Sequence, residues 1–252
     1  MQKGYETVIS AVRQISAYFG PSKPIHEIDN KAVHAYISHC ITSGVAPATI
    51  NRRLSALKVL IKHAKIMGYT DQTIEISRLR EDNARTLVLT ETDYHTILSQ
   101  LTITNLKHII IVLYETGMRL SELLKLTTDD IDKNRGKYGT IFVLISKNGK
   151  PRTIPMTESV ARVIDKRHPI LFPYTHKAVY RMWSEMKRTV TGVDHLMKND
   201  TFTPHILRHS CITNLASRGV PLADIQRWAG HTCVLTTSRY THLQDDLLEK
   251  YV

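Results

Sequence analysis

Cysteine is scarce in this chain, and the three present, Cys40, Cys211 and Cys233, show no CxxC spacing. An odd, scattered set excludes a disulfide framework and a four-cysteine zinc site, and it fits a reducing compartment. Long apolar runs are missing as well, since nothing approaches the ~18 residues of a membrane span. No basic stretch followed by an apolar one opens the chain, so no secretory leader is expected. Low-complexity tracts and repeats at solenoid periods are also lacking. Acidic charge is in deficit: 34 Lys and Arg stand against 23 Asp and Glu, for a formal net charge of +11. That balance favours a polyanionic partner such as nucleic acid. The excess is spread, with 12 basic against 7 acidic residues in 1–88 and 22 against 16 in 89–252, so both parts can touch the same polyanion. A soluble, intracellular protein without a membrane partner is expected.

With 252 residues there is room for two compact domains with real cores. Val8, Val12, Ile15 and Phe19 recur at helical spacing in residues 5–19, and Gly20-Pro21 ends the pattern. A second amphipathic stretch runs from about Lys31 to Thr42 and stops at Ser43-Gly44. The third helix, roughly Thr49–Met67, is the longest and most basic. It sets Arg52, Arg53, Lys58, Lys62 and Lys65 around an apolar stripe of Ile50, Leu54, Leu57 and Ile61. One face can pack while another meets phosphates, although charge alone fits a solvated face equally well.

Between Ser77 and Leu89 the apolar period is lost among Arg78, Arg80, Glu81, Asp82 and Arg85. The sequence thus predicts a helical domain over 1–76, a linker over 77–88 and a second domain over 89–252. Thr90-Glu-Thr-Asp93 has the form of a helix cap that opens this mostly helical block. One interruption stands out in 139–155, where Ile141–Ile145 and Arg152–Pro155 flank Asn148-Gly149, a dipeptide suited to a tight hairpin turn. Thr203-Pro204 caps a helix over about 204–218, and Pro221 opens another that closes at Gly230. Short helical segments are expected over 234–241 and 243–251.

Several polar residues can carry chemistry. His205 and Arg208 lie three apart on one side of a predicted helix, where they can address one anion or merely cap and solvate it. Arg119 follows Thr116-Gly117, and Glu122 stands one turn on, where a carboxylate can orient the guanidinium fork that matches phosphate oxygens. Arg-x-x-Glu is also a common surface ion pair. Lys147 and Lys150 flank the hairpin turn, placed to enter a groove and donate a proton or simply to keep the tip soluble. Tyr240, after Thr236-Thr-Ser-Arg239, is by itself an ordinary packing residue. His205 and His209 have a zinc-binding spacing, but Arg208 between them opposes a cation, so no metal is expected.

In this order the polar residues resemble the tyrosine recombinase (phage integrase) family. Thr116-Gly-Met-Arg119-Leu-Ser-Glu122-Leu is similar to its first arginine box, and Lys147 in Ser-Lys-Asn-Gly-Lys-Pro-Arg-Thr-Ile-Pro to its hairpin lysine. His205-Ile-Leu-Arg208-His, Trp228-Ala-Gly-His231 and Thr236-Thr-Ser-Arg-Tyr240 are similar to the second box. Residues 1–76, above all Pro47–Leu57, resemble the helical core-binding domain, and 89–252 the catalytic domain. The resemblance implies a mainly α fold: a helical N-terminal core-binding domain and a mostly helical catalytic domain with a small antiparallel β-sheet. It implies a short form, without an arm-binding domain.

The same resemblance implies Tyr240 as nucleophile, forming a 3′-phosphotyrosyl bond, with Arg119 and Arg208 on the phosphate. Lys147 would be the general acid, with Lys150 its rival. His205 would assist proton transfer at the nucleophile, His231 would bond the phosphate, and Glu122 would organise the site. Neither cofactor, metal nor ATP is implied. Arg52, Arg53, Lys58 and Lys62 would contact DNA. The implied partners are double-stranded DNA carrying short inverted-repeat core sites, and a homotetramer on that DNA through the C-terminal segment, where Leu243, Leu247 and Tyr251 form a stripe that packing within the chain would cover nearly as well. Accessory DNA-bending proteins complete that set, in the cytoplasm or nucleoid of a bacterial, archaeal or phage-infected host. Two rivals fit part of the pattern: a type IB topoisomerase-like relaxing enzyme, and a DNA-binding protein without catalysis.

Overall fold

The computed structural model describes residues 2–81, 87–144, 151–164 and 170–230. It divides into two compact units, residues 1–85 and 86–252.

The first unit is built on α1 (Gln2–Phe19), α2 (Asn30–Thr42) and α3 (Pro47–Ile66). Asp29 caps α2 by accepting from the Ala32 N–H at 2.7 Å, and Pro47 sits in the first turn of α3, where a missing N–H costs nothing. The predicted stripe of Ile50, Leu54, Leu57 and Ile61 is buried along its whole length, against Ala11, Ile15, Val33, Tyr36 and Cys40. Val8 departs from expectation and is 49% exposed. The buried line of α1 runs through Ala11 and Ile15 instead, while Thr7, Ser10 and Gln14 line a polar cavity of about 260 Å³ with Thr49, Arg52 and Arg53.

Residues 77–81, read above as the start of the linker, lie against α3. The buried Asn51 carboxamide donates to the Leu79 carbonyl, accepts from the Leu79 N–H, both at 2.9 Å, and donates to Glu81 Oε1 at 2.7 Å. Ile74 is buried, and Ile76 and Leu79 pack on the same core. Charge at Arg78, Arg80 and Glu81 hides this docking in the sequence, because the anchoring atoms are backbone groups met by one amide.

The second unit opens with α4 (Glu91–Gln100), where Thr90 and Asp93 form the expected reciprocal cap. Just before it, the Leu89 N–H donates to the buried Ser210 hydroxyl at 2.7 Å. α5 (Thr104–Thr116) forms the centre of the core, with Leu106, Ile109, Ile110, Val112 and Leu113 each buried. Next come the single turn α6 (Leu120–Leu123) and a three-stranded antiparallel sheet ordered β1 (Ile131–Asp132), β2 (Thr140–Val143), β3 (Arg152–Pro155). Ile141 faces Ile154, and Val143 faces Arg152. The expected hairpin strands are present; β1 was not expected, since two residues carry no readable alternation.

α7 (Glu158–Val163), α8 (His176–Thr189) and α9 (Asp194–Met197) lead to α10 (Pro204–Ser217), which packs more extensively on α5 than any other element does. α11 (Leu222–Ala229) closes on α10 through Ile225 and Ala229. No helix among the described residues is long and apolar enough to cross a membrane.

Candidate active site

Four of the predicted site residues, Arg119, Glu122, His205 and Arg208, come together where the α5–α6 junction meets α10. Gly117 makes the junction. It caps α5 in the left-handed region at φ 64°, a conformation that an L residue adopts at a cost of about 1–2 kcal/mol. A Cβ there would stand 3.1 Å from Cys211 Sγ on α10. The chain then turns sharply enough for Arg119 to precede α6, and Glu122 reaches back to accept from the Arg119 N–H at 2.9 Å and from its Nη1 at 2.8 Å. Among the described residues, Nη1 is the one guanidinium nitrogen of Arg119 with a bond. Its side chain is one-third exposed, while that of Glu122 is buried.

Arg208 is held differently. Its Nη1 donates to the Gly117 carbonyl at 2.6 Å and its Nη2 to the Ala229 carbonyl at 2.5 Å, so the side chain ties the start of the site to the end of α11. A guanidinium carries five N–H donors, and these two bonds fix its plane without exhausting them. Burial, followed by the neighbouring Arg119 charge, pushes its pKa down to about 10, so it stays cationic at neutral pH.

The sequence pattern did not single out Arg152, one of the most buried cations in this unit. Its Nη2 and Nη1 donate to Glu122 Oε2 at 2.7 Å and Oε1 at 3.2 Å, and its Nε donates to the Trp228 carbonyl at 2.9 Å. The signal was present: Arg152 and Ile154 alternate on one face of β3, and Ile154 is fully buried. Trp228 is a further tie, since its Nε1 donates to the Thr116 carbonyl at 2.8 Å. Three side chains from three elements thus join residues 116–122 to the end of α11. Gly230, at φ 65°, completes the fit, because a Cβ there would lie 3.0 Å from Arg152 Nη1.

Burial acts to raise the Glu122 pKa, but the Arg152 bond and then the Arg119 N–H outweigh it, so the carboxylate is held below its ordinary range. Three guanidinium groups therefore face one carboxylate, an excess of two positive charges. His205 stands on the same patch. Loss of solvent around the ring, then the charges of Arg208 and Arg119, lower its pKa from the ordinary 6.5. The residue keeps substantial solvent exposure, so the two cations are the firmer part of that cause. Cys211 is no rival nucleophile: burial pushes its thiol up to about 12.

The sequence profile of the phage integrase family matches residues 77–246, more than half of the chain. The chain belongs to the phage integrase family. Among its curated relatives is the integrase of Escherichia phage P2, 27% identical over 227 residues, covering 88% of this chain and 64% of that protein, so the chain spans just under two thirds of it. A XerC tyrosine recombinase of Pediococcus pentosaceus is 27% identical over 282 residues, with 99% of this chain and 91% of that one covered. The fold is similar to that of the Tn1549 transposon integrase solved with transposon right end DNA, at a TM-score of 0.76 and 20% identity over 95% of this chain and 89% of that one. It is also similar to lambda integrase bound to a core site, at 0.73 and 17% over 95% and 88%. A mostly helical chain with one small antiparallel sheet is the architecture expected of the family.

Lys147, Lys150, His231, Tyr240 and the stripe at Leu243, Leu247 and Tyr251 lie outside the described residues. Arg52, Lys58 and Lys62 are exposed on α3 of the first unit, with Arg53 partly covered. Among the described residues, no group of three or more His, Cys, Asp and Glu side chains is placed to hold a metal.

Proposed function

We propose that this protein is a tyrosine site-specific recombinase that cuts and rejoins DNA through a 3′-phosphotyrosyl intermediate. The observation that carries the reading is the excess, among the described residues, of two positive charges on residues 119, 152 and 208 over the one carboxylate of Glu122, on a patch that also holds His205. A phosphodiester brings one negative charge to such a site, and its pentacoordinate transition state brings a second.

Tyr240 Oη attacks the scissile phosphorus and the bond to the 5′-oxygen breaks. The phenol proton passes to His205, and the 5′-oxygen takes a proton from Lys147 or, within the same turn, Lys150. Arg119 and Arg208 bond the non-bridging oxygens, with His231 beside them, and Glu122 holds Arg119. Rejoining runs the steps in reverse on another 5′-hydroxyl. Because the phosphotyrosyl bond keeps the energy of the bond it replaced, the cycle needs neither ATP nor a metal. In the names of its relatives, integrase and transposon integrase, lies the support for a role in integrating or excising a mobile element. We place residues 1–76 on the DNA as the core-binding domain and 89–252 as the catalytic domain, with the C-terminal segment docking on a neighbouring protomer in a tetramer on inverted-repeat sites.

The test is a nicked suicide duplex carrying a cognate site, incubated with EDTA and without nucleotide. A covalent protein–DNA band is expected, and its absence on every candidate site would sink the reading. Strand exchange between two short duplexes, in place of relaxation without site preference, separates recombination from a topoisomerase.

Two further outcomes are expected. Arg52→Ala and Lys58→Ala should weaken DNA binding and lower the slope of log K against log salt by about 0.9 for each phosphate no longer neutralised, leaving cleavage on saturating DNA unchanged. Loss of cleavage at unchanged affinity would contradict the assignment of α3.

His205 should remain neutral at pH 7, ready to accept the phenol proton. The acid limb of single-turnover cleavage should therefore fall below pH 6.5, and an inflection above that value would contradict the role. The linkage has a definite sign. The unfolded chain takes this proton more readily than the folded one, so stability from His205 is present above the unfolded value and is lost as pH falls towards the folded one.

A further inference from the structure

Arg152 poses a question that the ion pair alone does not answer. The Arg152 and Glu122 side chains are 3% and 2% exposed. Burying a carboxylate and a guanidinium carries a large desolvation cost, and an apolar pair of similar volume often serves stability as well or better. Stability is therefore a poor explanation for this pair, and its geometry offers another.

Both Glu122 oxygens are shared. Oε1 accepts from Arg119 Nη1 at 2.8 Å and Arg152 Nη1 at 3.2 Å, while Oε2 accepts from the Arg119 N–H at 2.9 Å and Arg152 Nη2 at 2.7 Å. A buried carboxylate with Arg119 as its one partner would draw that guanidinium inward, and the donors meant for phosphate would be spent on Glu122. Arg152 meets the same carboxylate bidentately. Among the described residues, Arg119 then gives a single side-chain bond, from Nη1, and keeps its remaining donors for an anion. The third Arg152 bond, from Nε to the Trp228 carbonyl, holds the end of α11, from which the Ala229 carbonyl anchors Arg208. One side chain on β3 thus touches the supports of both phosphate-binding arginines.

We propose that Arg152 is a positioning residue for DNA cleavage: by sharing both oxygens of Glu122 and fixing the end of α11, it keeps Arg119 and Arg208 aimed at the scissile phosphate. This rests on the recombinase reading given above. Only the planar fork does all of this, since a lysine in its place supplies one ammonium for two carboxylate oxygens and a carbonyl.

The experiment compares the wild type with Arg152→Lys and Arg152→Met in single-turnover cleavage of saturating suicide DNA, with thermal melts and DNA affinity alongside. Each protein also receives the same duplex with a neutral methylphosphonate at the scissile position. Arg152→Met should retain DNA affinity and cut the ordinary phosphate about a hundredfold more slowly, the loss expected when a reacting arrangement shifts by about 1 Å. Arg152→Lys should fall between the two. On the methylphosphonate the gap between wild type and variants should shrink, because the anionic oxygen that the arginines serve is gone. A residue that merely held the fold would lower the melting temperature and leave an equal gap on both substrates.

Arg152→Met cleaving at the wild-type rate, or an undiminished gap on methylphosphonate, would overturn the proposal. Should Arg152→Met not fold, Arg152→Lys decides, and wild-type cleavage by that variant would overturn it too. If the wild type forms no covalent adduct, the recombinase reading fails and the positioning role falls with it; a wild-type adduct with unaffected variants refutes the positioning role alone.

Discussion

Tyr240→Phe is expected to bind its DNA site as tightly as the wild type and to form no covalent adduct at all. The substitution removes one oxygen and leaves the ring, so packing and charge are almost unchanged. What disappears is the hydroxyl proposed as the nucleophile. The Cys211 thiol, held protonated with a pKa of about 12, is bonded through Sγ toward the Glu115 carbonyl at 3.8 Å and is no substitute. Water activated at the same phosphate would hydrolyse the strand without capturing the protein. Two measurements check this: a denaturing gel for the protein–DNA band and a binding isotherm on the same duplex. A band that persists in Tyr240→Phe would move the nucleophile elsewhere, and a large loss of affinity would make Tyr240 a binding residue.

Arg208→Ala carries the second largest effect, and it should appear in two assays. Losing a pre-organised donor to the transition state costs on the order of 3–4 kcal/mol, which is about 10²–10³ in cleavage rate on saturating DNA. The same truncation strands the Gly117 and Ala229 carbonyls, both bonded to Arg208 in a buried setting. A buried acceptor left without a partner costs about 1–3 kcal/mol, so the melting temperature should fall as well. Since single domains are stable by about 5–15 kcal/mol, the variant should remain folded at 25 °C and its rate be measurable. Arg208→Lys keeps the charge but cannot bridge both carbonyls and also present a planar fork, so it should recover little of the rate. Cleavage by Arg208→Ala within threefold of wild type would remove Arg208 from the phosphate.

Residues of this chain differ in how far their spacing reveals them. Arg208 could be named as a candidate because His205-x-x-Arg208 falls in the order of the family's motifs, on a helix whose start is marked by Thr203-Pro204, and α10 begins at Pro204. Arg119 and Glu122 were candidates for a similar local reason, as a carboxylate one turn after an arginine can reach it, and it does at 2.8 Å. Arg152 was not, because its partners are 30 and 76 residues away and one of them is a backbone carbonyl. Asn51 escaped notice on the same grounds, binding the backbone of Leu79 from 28 residues away. Val8 misled for the opposite reason: it satisfies the helical period of α1, yet period alone does not say how far along the helix its neighbour extends.

The sequence by itself determined the first three helices, the cap of α4, the helices α10 and α11, the hairpin strands, the buried stripe of the basic α3, and the residue types at the site. Each of these depends on contacts within about one helical turn or one strand pair, where spacing dictates geometry. Only the tertiary structure decided that Arg152 shares Glu122 with Arg119, that Arg208 and Trp228 tie the α5–α6 junction to the end of α11, and that residues 77–81 dock on α3. Those bonds run to carbonyls and carboxylates brought close by chain folding, and a carbonyl has the same chemistry at every residue, so no residue type announces it in advance.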